Sequence, residues 1–325
     1  MDGSNGLMMK GDGGWESEVE AEEDLTARIE EGLTVRGAAE IAAPFLPALT
    51  APGRGVQAIL LYGSVLWNAT RDKTSQPDFI VVVDSLSAWY RRFRDRLWGA
   101  VLPPAVHCLR EGDALAKVSV VTARQLASQT GDAAKDLHLS GRLSKRVALV
   151  WARDPQARQR IVDAKRAALQ TVARLTISRF AGAIALDDFL TAMLGLSYES
   201  EVRIVEPGKI AALLGVERDH YRVLGRALLS SLGATPVDAT GSVYQLPSSA
   251  AAARGELERC LRRSRRRAYL RWPKYLATYD GWLDYLLQKL ARSGNQVSLT
   301  ERQRRHPLIF ALPVLYQMMR TKRVG

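Results

Sequence analysis

The chain has 325 residues, 47% hydrophobic and 25% charged, with a formal net charge of +12. Those proportions exclude a disordered, collagenous or coiled-coil protein, and the length suggests compact units large enough to bury cores of their own. Two distant cysteines, Cys108 and Cys260, and four scattered histidines argue against a disulfide scaffold or a Cys- or His-held metal, and a reducing compartment follows.

Charge is unevenly spread. Residues 1–25 hold eight acids against one lysine, whereas residues 259–325 hold sixteen Lys/Arg against three acids. The basic end points to a polyanionic partner, either nucleic acid or an anionic membrane surface. The acidic opening lacks the apolar core of a signal peptide, and no run of about 20 apolar residues is present to span a bilayer. A cytoplasmic protein is expected.

In chain order, residues 1–34 read as an acidic disordered tail. Val56–Tyr62 (VQAILLY) is a short apolar run ending in Gly63-Ser64, hence a buried strand and a turn. Asp78–Asp84 (DFIVVVD) is a β-branched strand, and Leu86–Gly99 has helical spacing. Ala116–Val121 and Arg146–Trp151 are further strands, separated by a helix over Thr122–Leu139 with a break at Gly131. Together these predict an α/β domain, a mixed sheet with helices, over residues 35–152. Helices follow at Gln156–Ile177, Asp187–Leu196 and Lys209–Leu232, then a hairpin over Pro236–Pro247. That order suits a winged-helix-like domain over residues 153–250, followed by a basic helical segment over 251–325.

The sharpest chemical pattern is Tyr62-Gly63-Ser64 followed by Asp78 at the head of the next strand. Glycine lets the backbone approach a phosphate, serine adds a hydroxyl donor, and a facing carboxylate can hold Mg²⁺ beside the phosphates. This is the logic of a nucleotidyltransferase. Such sites usually place two acids one residue apart, but Ile80 stands two after Asp78. Asp84 shares its parity yet lies about 20 Å along the strand, which makes it structural.

Five ordered blocks carry a resemblance: LLYGSVLW, PDFIVVVDSLSAWY, AKVSVVTARQL, LHLSGRLSKRV and LGLSYESEVRIVEPGKI, spread over roughly residues 58–225. In these the chain resembles the mitochondrial-type phosphatidate cytidylyltransferases, also called the mitochondrial translocator assembly and maintenance proteins. The resemblance implies that CTP and phosphatidate give CDP-diacylglycerol and pyrophosphate with Mg²⁺. It also implies a nucleotidyltransferase domain, a winged-helix-like domain and a membrane-contacting C-terminal segment. It places Tyr62, Gly63 and Ser64 on the phosphate turn, Asp78 on the metal and Lys117 beside a phosphate. Gly141, Arg142 and Lys145 fall on a phosphate-clamping block, and Tyr198, Arg203 and Lys209 on a second-domain block that meets the nucleotide or the lipid phosphate. The chain departs from the family pattern at Val65, Tyr90, Val118, Ser119 and Arg146, as a divergent bacterial-type member would.

Seven arginines lie from Arg259 to Arg271, with Tyr269 inside the run and Trp272 directly after it, and the apolar stretch Leu308–Met319 is flanked by basic residues. This composition suits an interfacial segment on the inner, anionic face of a membrane, with no stable nucleic-acid partner. Two alternative readings are a nucleotidyltransferase acting on RNA or a small molecule, and an inactive nucleotidyltransferase-fold binding module.

Overall fold

The computed structural model describes residues 13–66, 76–112, 114–201, 208–278 and 300–301. Arg203 and the Leu308–Met319 stretch lie outside them.

The first half contains α1 (Gly13–Gly32), α2 (Ala38–Ala42), α3 (Leu46–Leu49), β1 (Val56–Tyr62), β2 (Asp78–Val83), α4 (Leu86–Trp89), α5 (Phe93–Val101), β3 (Ala105–Glu111), β4 (Ala114–Thr122), α6 (Ala123–Thr130), α7 (Ser140–Leu143) and β5 (Val147–Ala152). The strands form a five-stranded mixed sheet in the order β3-β4-β2-β1-β5. β1 runs antiparallel to both β2 and β5, whereas β2 and β4 are parallel. Alternate side chains go to opposite faces. Ala58, Leu60, Ile80 and Val82 join a core shared with the later helices, while Ile59, Leu61, Phe79 and Val81 face Phe45 and Leu49. Burial on both faces explains why the strands read as continuous apolar runs. Each fully buried large side chain in β2 contributes about 1.5–3 kcal/mol.

Residues 13–32 are helical, against the expectation of a disordered tail. Leu25, Ile29 and Leu33 recur every four residues and are buried in the main core. Four-residue spacing puts them on one face of the helix, while Glu22, Glu23, Asp24, Glu30 and Glu31 are exposed. The helix expected over Leu86–Gly99 is broken at Tyr90, whose backbone is extended (φ −103°, ψ 123°).

The second half contains α8 (Pro155–Ile177), β6 (Ala183–Ala185), α9 (Leu186–Glu199), α10 (Lys209–Val216), α11 (Arg218–Ser231), β7 (Thr235–Pro236), β8 (Val243–Gln245) and α12 (Arg254–Thr278). The Asp154 carboxylate caps α8 by accepting from the Ala157 N–H at 2.7 Å, and Pro155 takes the first turn. The small sheet has the order β6-β8-β7. The helix expected over 209–232 divides at Glu217, which has a non-helical backbone (φ −122°, ψ 33°).

α12 ties the two halves together. Its Ser264 hydroxyl accepts from the Leu137 N–H at 3.0 Å, and Lys274 donates to the carbonyls of Leu102 and Pro104 at 2.5 and 3.0 Å. Arg267 and Arg271 both pair with the buried Asp136 carboxylate. The arginine run is therefore not uniformly available to a surface. Arg271 is buried, because its helical position turns it toward Asp136, while Arg259, Arg262, Arg263 and Arg266 face outward. Among the described residues no helix is long and apolar enough to cross a membrane.

Candidate active site at the sheet end

Strand register brings the expected residues together. Tyr62 is paired with Asp78 across β1–β2, and Asp78 is paired with Lys117 across β2–β4. Tyr62 also opposes Val147 at the start of β5. Residues paired across strands project to one face. Tyr62, Asp78 and Lys117 thus form a row across three adjacent strands at one end of the sheet, on the face that meets α7 and α8.

The turn that follows β1 requires its glycine. Gly63 has φ +93°, and a Cβ there would sit 3.1 Å from Oδ2 of Asp78. A side chain would be strained by the backbone and would crowd the carboxylate. Ser64 then opens a short helical turn, closed by the Leu66 N–H donating to Gly63 O at 3.1 Å. Nζ of Lys117 lies 3.5 Å from Oδ1 of Asp78, with the two side chains 19% and 29% exposed. That contact is longer than a good charge-assisted hydrogen bond, so it holds the carboxylate without saturating it.

α7 brings a second cation over the row. The Arg142 guanidinium lies 5.9 Å from the Tyr62 ring centre, donates to His138 O at 2.7 Å and pairs with Oε1 of Glu201 at 2.5 Å. His138 Nδ1 is 3.4 Å from the same Glu201 oxygen. The Tyr62 hydroxyl is buried and has no hydrogen-bond partner among the described residues. Such an orphaned donor costs about 1–3 kcal/mol, which a bound polar ligand would recover. Lys145 leads into β5 and sits 3.5 Å above the Tyr198 ring.

The loop that carries Arg142 and Lys145 is held from beneath. Lys165 on α8 is buried and donates to the carbonyls of Leu143 and Lys145 at 2.9 and 3.0 Å. Burial pushes its ammonium down to about 7; nearby Arg146 adds to that, and Glu217 opposes it. Gly141 serves packing: a Cβ there would lie 2.9 Å from that of Ser197, so glycine is what lets α7 approach α9.

Lys209 opens α10, and no described contact joins it to the turn. Asp84 occupies the opposite end of β2, where it accepts from Gln57 at 2.6 Å and from Arg153 at 2.8 Å. Sequence reasoning missed Glu201, His138 and Lys165. Arg142 and Glu201 are separated by 59 positions, with no local pattern to link them.

Among the described residues no three His, Cys, Asp or Glu side chains cluster to hold a metal unaided. Asp78 supplies one carboxylate oxygen donor set beside a phosphate-sized turn. That fits a hard ion such as Mg²⁺, which keeps waters and binds through one or two carboxylates plus substrate phosphates. It does not fit a resident ion caged by protein alone. No family model matches the chain, and no curated protein matches it.

Proposed function

We propose that this protein is a nucleotidyltransferase of the phosphatidate cytidylyltransferase kind, joining CTP to phosphatidate to release CDP-diacylglycerol and pyrophosphate. The observation that carries the reading is the row Tyr62–Asp78–Lys117 beneath a positive-φ Gly63, with Arg142 above it. In this reading the five-stranded sheet is a nucleotidyltransferase sheet. The second unit, in this reading, is winged-helix-like, which the order α8–β6–α9–α10–α11–β7–β8 and its three-stranded sheet support.

A phosphatidate oxygen attacks the α-phosphorus of the nucleotide. The new P–O bond forms as the bond to the pyrophosphate oxygen breaks in line. The nucleophile is already anionic at neutral pH, so no strong base is needed. The work falls to positioning and charge neutralisation. The turn at Gly63–Ser64 offers backbone N–H groups and a hydroxyl to the phosphates. Lys117 neutralises charge from the floor of the site, and Arg142 does so from above, oriented by Glu201. Lys145, with its loop anchored by Lys165, is placed for a further phosphate oxygen. Mg²⁺ arriving with the triphosphate would be held by Asp78 and would offset charge on the leaving pyrophosphate.

The outward arginines of α12 suit an anionic leaflet and support a reading of the protein as peripheral on the inner face of a membrane. That no second acid joins Asp78 in the row among the described residues favours one second reading, a nucleotide-binding module without turnover. Purified protein with CTP, Mg²⁺ and phosphatidate vesicles, scored for CDP-diacylglycerol, tests the first. Titration of CTP by calorimetry separates the second, which retains nucleotide binding without product. Absence of both overturns the site.

A further inference from the structure

α5 exposes large apolar side chains. A helix on a protein surface normally turns its polar face to water. Here Phe93 is 76% exposed, Leu97 51% and Val101 56%. They recur every four residues and form a continuous stripe. The inward side carries Gly99, packed on Leu86 and Ala105, and Arg96, whose guanidinium donates to Tyr90 O at 2.8 Å and Arg91 O at 2.9 Å. Among the described residues nothing buries the stripe, and exposed apolar area of this kind marks a contact surface.

We propose that α5 is a membrane-docking element of the sheet domain, its Phe93–Leu97–Val101 stripe entering an anionic lipid leaflet. This deepens the lipid reading above and takes from it only the choice of a bilayer. The charges around the stripe argue for the same occupant. Arg91, Arg92 and Arg94 are exposed at its start, against the single acid Asp95. At its end α12 packs on α5, anchored by Lys274 donating to Leu102 O at 2.5 Å. Elsewhere along its length α12 exposes Arg262 and Arg266, then Tyr269 and Leu270, 57% and 61% exposed. An apolar stripe led in by arginines, with further arginines and an aromatic ring exposed on the helix that packs against it, has the composition of an interfacial surface. A second copy would set the same basic rim against itself. Residues 279–325, with eight Lys/Arg against three acids, carry the same sign of charge as the rim. Both are electrostatically poorer occupants than an anionic bilayer.

The test is sedimentation of the full chain with phosphatidylcholine vesicles with and without phosphatidylglycerol, without nucleotide, for wild type and the double variant Phe93→Ser/Leu97→Ser. These side chains support no core, so the variant is expected to melt as wild type does. Wild type should bind the anionic vesicles preferentially, and the variant at least fivefold more weakly. Turnover of a short-chain, water-dispersed phosphatidate should stay within twofold. Equal vesicle binding by the two proteins overturns the proposal, as does failure of wild type to bind. A wild-type dimer in solution that the variant abolishes assigns the stripe to a second copy and also overturns it. Vesicle binding that depends on α5, with no turnover of the dispersed lipid by either protein, upholds docking and refutes the catalytic reading.

Discussion

Asp136 and Asp78 both face basic side chains, and they differ in what they leave over. Asp136 is 1% exposed; it accepts from Arg271 at 2.9 Å and from the His138 N–H at 2.9 Å, and it also meets Arg267. Its acceptor capacity is used by the protein. Asp78 is 29% exposed and has Lys117 at 3.5 Å. A buried, saturated ion cluster fixes one segment on another and has nothing to offer a ligand. A half-open, loosely paired carboxylate beside a glycine turn keeps lone pairs available. The same two residue types, acid and base, thus make a rivet between α12 and the sheet domain in one place and a ligand site in the other.

The largest effect should come from breaking the rivet. Asp136→Ala leaves Arg271 buried without its counter-ion, and removal of one partner of a buried pair costs about 3–5 kcal/mol. A urea midpoint shift of that size is expected. A loss below about 1 kcal/mol would mean that the cluster is solvated and that the comparison fails. Asp78→Asn should do the reverse. It removes about 100-fold or more of CDP-diacylglycerol formation, roughly 2.7 kcal/mol of transition-state stabilisation, while the melting curve barely moves. Full turnover by Asp78→Asn would refute the assignment of that carboxylate.

Acid sharpens the contrast, because buried bases titrate against the fold whereas the open row does not depend on being buried. Burial, with Arg54 nearby, pushes the His107 ring down to about 4, against the opposing charge of Asp95. Burial, with Arg146 and Lys165, pushes His220 down to about 3. Both folded values lie below the unfolded value of about 6.5. Between pH 6.5 and 4 the unfolded chain therefore takes up protons that the native state refuses, and stability falls as pH falls. Glu217 works the other way: burial raises its carboxyl above the usual range despite Arg146 and Lys165, so its contribution weakens as pH rises through that range. The two histidines together predict a loss of up to about 4 kcal/mol between pH 7 and pH 5, which Glu217 reduces. Above neutrality the sign is the same. Lys165 and Lys274 are pushed down to about 7 by burial, so the cost of keeping them charged is fully present below pH 7 and is relieved as pH rises toward 10. Urea titrations at pH 5, 7 and 9 check both windows, and a midpoint that is flat across them would contradict the burial of these four groups.

The strands and the turn were legible in the sequence because their signals are local. VQAILLY-GS and DFIVVV each declare themselves within seven residues, and antiparallel pairing of neighbouring strands then sets Tyr62 against Asp78. Edge strand β3 was missed. AVHCLRE has few β-branched residues, and its burial fades along its length, so it lacks the pattern of its buried neighbours. α1 was hidden by its acids, which outnumber the Leu25–Ile29–Leu33 stripe that docks it. The Glu201–Arg142 pair and the Lys165 anchor lay beyond reach, because each joins elements through tertiary packing alone. The arginine run shows the limit from the other side. Composition marks it as a basic surface, but only the turn of α12 decides that Arg271 goes inward while Arg266 does not.

The smallest expected effect tests the comparison within a single strand. Asp84 and Asp78 bracket β2, and both face basic residues. Hydrogen bonds from Arg153 and Gln57 hold the Asp84 carboxyl below its usual range, against a weak opposing effect of burial. Its side chain is 44% exposed and that of Arg153 42%, so solvent screens the pair. Asp84→Asn should cost no more than about 1 kcal/mol. The sign with pH is opposite to that of the histidines' cause but not of their direction: a depressed carboxyl contributes stability above the unfolded value of about 3.9 and loses it as pH falls through the folded one. The contribution should therefore be intact at pH 5, where the histidines have already acted. Turnover should stay within twofold of wild type, because about 20 Å of strand separates Asp84 from the turn. A tenfold loss of product formation by Asp84→Asn, with the melt unchanged, would place the chemistry at the wrong end of β2.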